Sequence, residues 1–130
     1  MIKKRWLVPI ILCAVLTPGT GAASGRLEVG TTQGDKTSTY EYFDSGVATI
    51  AVWKSSGSGS LKGELWKRIP YFPDKKIAQT EVVDAEYGGY QTTVDLKSGG
   101  HYYIKVIDQD GYASGYVKAI NYKPDGFIIP

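Results

Sequence analysis

The chain has one cysteine, one histidine and one methionine in 130 residues. Cys13 lies in an apolar run near the N-terminus, so everything after it is free of disulfides, thiol nucleophiles and cysteine-based metal sites. His101 stands alone, and a zinc site takes several His or Cys ligands. No segment sustains a helical period. The Gly-x-Ser-x-Gly elbow of serine hydrolases is missing, since Gly111-Tyr112-Ala113-Ser114-Gly115 has the wrong spacing. The Gly/Ser stretch at 55–60 lacks the Gly-Lys-Ser/Thr ending of a phosphate loop and opens no helix. Asp108-Gln109-Asp110-Gly111 begins like a calcium loop without its later oxygen ligands and closing Glu, and ordinary type I turn preferences account for it. These absences leave no catalytic residue to assign, and neither a metal nor a cofactor is expected.

What is present first is an export signature. Lys3, Lys4 and Arg5 precede an apolar run at 6–16, Thr17-Pro18-Gly19 breaks it, and Gly21-Ala22-Ala23-Ser24 supplies small residues for cleavage after Ala23. The run is too short to span about 30 Å of hydrocarbon, and Pro9 and Pro18 lie in and beside it. Leu12 stands where a lipoprotein signal needs a small residue before its cysteine. The expectation is a signal peptide at 1–23 and one domain at 24–130, secreted, with no membrane association in the mature form. Removing Lys3, Lys4 and Arg5 takes Lys plus Arg from 15 to 12 against 13 acids. The basic excess belongs to the signal, so no nucleic-acid partner is expected. Export without disulfides points to a bacterial source.

Gly and Ser clusters recur through the rest of the chain, the rhythm of many short strands. Strands are expected near 26–30, 36–43, 47–54, 61–69, 77–85, 90–96, 101–106 and 114–121, with 127–129 adding a strand or covering an edge. Residues 47–54 are the most apolar and rich in β-branched side chains, which suits a central strand. Residues 55–60 read as a hairpin tip, with the strand from Leu61 returning beside 47–54. In that strand Leu61, Gly63 and Leu65 share one face and Trp66 takes the other. Residues 95–106 read as a hairpin over Ser98-Gly99-Gly100. There Tyr102, Ile104 and Val106 face one side, while His101, Tyr103 and Lys105 face the other, which makes His101 a solvated strand residue. The expected fold class is all-β, a two-sheet antiparallel sandwich of seven or eight short strands, with a small barrel as the alternative.

Leu96-Lys97-Ser98-Gly99-Gly100-His101-Tyr102 resembles the tyrosine corner of fibronectin type III and immunoglobulin-like sandwiches, in which a Tyr follows a Leu by six residues across a Gly turn. The resemblance implies that the Tyr102 hydroxyl bonds back to the backbone near the turn, making Leu96 and Tyr102 structural. The same segment is similar to the Gly-Tyr-Tyr hairpin of bacterial pre-peptidase C-terminal domains. Both resemblances concern fold and transfer no binding site.

Ten tyrosines, Trp53, Trp66 and three phenylalanines lie after the signal. Part of this richness is strand propensity, and part is available for stacking on sugars or on another protein. The expected function is a small secreted non-catalytic binding module whose partner is a polysaccharide or a protein. Its candidate contacts are Tyr71, Phe72, Tyr87, Tyr90 and Tyr112, in or beside predicted loops. Tyr71 and Phe72, held between Pro70 and Pro73, suit either an exposed patch or a lid over the core. Two other readings stay open. One is a secreted antagonist, a bacteriocin-like toxin or a protease inhibitor presenting 55–60 or 71–76. The other is a small hydrolase using two carboxylates, whose separation is a property of the fold.

Overall fold

A computed structural model describes residues 25–130, and the expected signal peptide at 1–23 lies outside them. Among the described residues there are nine strands and no helix. They are β1 (Arg26–Thr31), β2 (Lys36–Thr37), β3 (Glu41–Phe43), β4 (Gly46–Gly57), β5 (Leu61–Lys67), β6 (Lys75–Gln79), β7 (Gly88–Leu96), β8 (Gly100–Asp108) and β9 (Ala113–Ile120). Two antiparallel sheets pack face to face. One has the order β1-β9-β4-β7, and the other runs β2-β8-β5-β6 with β3 also on β8. The all-β sandwich expected from the sequence is therefore the fold.

Period-two alternation builds the core. Ala48, Ile50 and Val52 of β4 and Val117 and Ala119 of β9 meet Leu61, Leu65, Tyr102, Ile104 and Val106 of the second sheet, and all are buried. The sheets approach so closely at Gly63 that a Cβ there would lie 2.9 Å from a methyl of Val117. Only a residue without a side chain fits that contact.

Several local expectations change. Residues 95–106 are no hairpin: β7 ends at Leu96 in one sheet and β8 starts at Gly100 in the other. Leu96 and Tyr102 point into the same core from opposite walls, an arrangement with the same alternation as a hairpin. Likewise β4 runs on to Gly57, and the chain then crosses to β5 in the other sheet instead of folding back on β4. The expected strand at 36–43 is split into β2 and β3 around Ser38, whose backbone and hydroxyl both bond to Ile104. The strand expected at 77–85 lies earlier, at Lys75–Gln79, because Thr80 and Val83 turn their backbone to Gly63 and Leu61. The tail forms no strand. Gln91 holds it by bonding Gly126 and Ile128, with Ile129 buried beside Trp53 and Gly89.

An immunoglobulin sandwich keeps its last two strands in one sheet. Here β9 lies between β1 and β4, in the sheet opposite β8, so the sandwich architecture is shared but that strand order is not.

Candidate functional site

The five predicted contact residues do not form one patch. Tyr71 and Phe72 are fully and largely exposed in the β5–β6 loop. That settles their position against a core lid. Tyr87, before β7, and Tyr112, between β8 and β9, are exposed at the opposite end of the sandwich. Tyr90 is half-buried and packs against the core from β7.

The residues that do converge lie on the outer face of the five-stranded sheet. Trp66 of β5 and Tyr103 of β8 are register partners, so their rings share one face. The rings are nearly parallel, 15° apart with centroids at 6.4 Å. Tyr40, leading into β3, meets Tyr103 edge-on at 5.4 Å, and Tyr42 meets its register partner His101 edge-on at 5.8 Å. Tyr40 and Tyr42 are each about half exposed, at 50% and 52%. Cations complete the belt. The Lys105 ammonium sits 4.1 Å from the Trp66 ring centroid and the Arg68 guanidinium 5.1 Å from that of Tyr40.

Hydrogen bonds fix the platform from beneath. Tyr103 points to the outer face, as the alternation predicts, yet neighbouring rings leave it 6% exposed. Its hydroxyl donates to Asp74 at 2.6 Å, and the other Asp74 oxygen accepts the Ile69 amide at 3.3 Å, so the β5–β6 loop is pinned to the platform. Burial and this bond push the Tyr103 phenol well above its ordinary pKa, and the same bond holds Asp74 below the usual carboxylate value. The Trp66 indole donates to Glu64 at 2.9 Å, and Lys62 and Lys76 flank that carboxylate at 3.4 and 3.5 Å. Burial alone would raise Glu64, but the indole and the two lysines outweigh it and lower its pKa.

Both carboxylates thus have lowered pKa values and are engaged by donors, which does not suit a general acid. The surface offers aromatic rings, lysine and arginine heads, and one exposed histidine. Among the described residues, no group of three or more His, Cys, Asp or Glu is placed to hold a metal ion.

Alternation in the sequence already puts Trp66 opposite Leu65, Tyr103 opposite Tyr102, and Tyr40 with Tyr42. It does not show that β3, β8 and β5 are neighbours, and so the platform as a unit escapes it.

Neither a protein-family model nor a curated protein matches the chain. A solved structure, the crystal structure of PirA, is similar to it with a TM-score of 0.48 and 15% identity, over 80% of this chain and 97% of that one. A likeness that distant does not bear on function.

Proposed function

We propose that the chain is an exported, non-catalytic binding module that holds a carbohydrate against the outer face of its five-stranded sheet. The observation that supports this reading is the belt formed by Tyr40, Tyr42, Trp66 and Tyr103, stiffened by Asp74 and Glu64, with Lys105 over the Trp66 ring and Arg68 over that of Tyr40. Rigid aromatic rings present apolar faces to sugar C–H groups at little entropic cost, while nearby cations and hydroxyls reach sugar oxygens. The test is retention of the purified protein on insoluble polysaccharides, cell-wall peptidoglycan among them. Tyr40→Ala and Trp66→Ala should each weaken retention about tenfold, equivalent to ~1.4 kcal/mol. A wild-type protein that no polysaccharide retains, or variants that bind as well as wild type, would overturn the reading.

One observation favours a second reading, a secreted antagonist such as a protease inhibitor. Tyr71 has φ of 68° and is fully exposed, an unusual backbone state for an aromatic residue at a loop tip. A protease panel in which Tyr71→Ala abolishes inhibition would select it over the glycan module.

A further inference from the structure

The two sheets stay open where β6 and β7 form their edges. Between them lies a cleft of about 320 Å³. Its floor is the buried Tyr102 and Leu96, and Ile77 and Val94 line its sides. Lys67, Lys75 and Lys97 surround this apolar floor, and Lys76 adds to the lining while its ammonium turns to Glu64. Lys67 and Lys75 are register partners on β5 and β6, so their backbones stand at the same level of the cleft. Lys67 also donates to the Ser98 hydroxyl and stands 5.7 Å from the Tyr102 ring centroid.

Among the described residues, no carboxylate lies within 4.0 Å of Lys67, Lys75 or Lys97, whereas Lys76 shares Glu64 with Lys62. Asp95 is the single acid in the lining. Three lysines at one cleft, Lys67, Lys75 and Lys97, are not a reflection of bulk charge, since residues 24–130 carry 12 Lys and Arg against 13 acids. Asp35, Glu81, Asp84, Glu86 and Asp110 belong to loops at the far end of the sandwich, while Glu41, Asp44, Asp74 and Asp95 lie toward the cleft end.

We propose that this cleft binds an oxyanion ester, a sulfate or phosphate carried on a small sugar. Lys67, Lys75 and Lys97 hold the anion, and Ile77 and Val94 receive the apolar side of the sugar ring. The volume suits one sugar residue rather than a buried polymer. The site is separate from the aromatic belt, and its test does not depend on that belt binding anything.

The probes are dextran sulfate, inositol hexakisphosphate and uncharged dextran, with affinities measured at low and high salt on the purified protein. The wild type should bind one or both esters, ignore dextran, and weaken as salt screens the lysines. Joint replacement Lys67→Gln, Lys75→Gln and Lys97→Gln should cost about tenfold or more in affinity. The control Lys36→Gln, Lys118→Gln and Lys123→Gln removes the same charge elsewhere and should change affinity less than about twofold. Trp66→Ala should leave ester binding intact. Equal losses in the cleft and control variants would mean attraction by net charge alone and would overturn the proposal, as would no ester binding by wild type. Should the triple cleft variant fail to fold, the exposed Lys97→Gln alone must still reduce affinity measurably, and an unchanged affinity sinks the idea.

Discussion

The Tyr102 hydroxyl donates a 2.7 Å hydrogen bond to the Ser98 carbonyl, closing the corner by which the chain passes from one sheet to the other. The ring is 1% exposed, tilted against Phe43 with centroids at 5.6 Å and capped by the Lys67 ammonium. A single side chain thus ties the crossing to the core at both of its ends.

Tyr102→Phe keeps the ring and removes the bond, leaving the Ser98 carbonyl without its partner. The variant should lose about 1 kcal/mol, a drop of roughly 4–8 °C in melting temperature for a domain of this size. Thermal unfolding by circular dichroism reads it directly. An unchanged melting temperature would show that the corner bond contributes nothing.

Lys54 is 2% exposed and points inward at the far end of β4, where its ammonium donates to the carbonyls of Gly59 and Asp84 at 2.7 and 2.6 Å. It joins the β4–β5 crossing to the loop before β7, which Ser60 and Asp84 also link. Lys54→Met fills the space but strands two acceptors, so about 2–4 kcal/mol should be lost. Urea unfolding gives the magnitude, and hydrogen exchange should quicken selectively in residues 80–87. Uniform quickening would mean that the lysine is not a local tie.

Asp108 closes β8 and accepts backbone amides from Gly34, Gly111 and Ala113 at 2.9, 2.9 and 3.2 Å. Burial opposes its ionisation, yet these amides prevail and lower its pKa below the ordinary 3.8. A carboxylate depressed in the folded state stabilises fully above its unfolded value and ceases to do so as pH falls through the folded one. Stability should therefore be flat from pH 7 to about 5 with respect to this group and decline below about 4. Asp108→Asn should be less stable at pH 7 and show a shallower decline in acid. Parallel pH curves for the two proteins would contradict the assignment.

Tyr103→Phe tests the pin between platform and loop. Losing the donor should let the Asp74 pKa rise toward its ordinary value, followed by carboxyl-carbon NMR titration. The 69–74 amides should exchange faster, and glycan retention should fall while the fold persists. A stationary Asp74 titration would show that its depression has another source.

Much of the fold was legible because alternation reports which face each side chain takes. Tyr102, Ile104 and Val106 were assigned to the core and are in it. Partners were not legible, since the crossings at 57–61 and 96–100 carry the same turn residues and the same alternation that a hairpin would. Tyr103 shows the limit for the site. Its direction follows from its neighbours in sequence, but its burial comes from Trp66 and Tyr40 on other strands. Exposure of Tyr71 and Phe72 depended likewise on whether the two-proline loop folded over the end, and Asp74 decides that by tying its base to Ile69 and Tyr103.

The strand order also governs how the chain assembles. Among the described strands, only β5 and β6 are both consecutive and paired, while β1 pairs with β9, so that Arg26 lies opposite Ile120. Nearly every ladder must wait for distant segments to meet, which places folding in the millisecond-to-second range typical of non-local β-topologies. Within the four-stranded sheet β4 and β7 pair directly, but β1 has no place until β9 lies beside β4. β9 is thus the strand through which β1 joins the sheet.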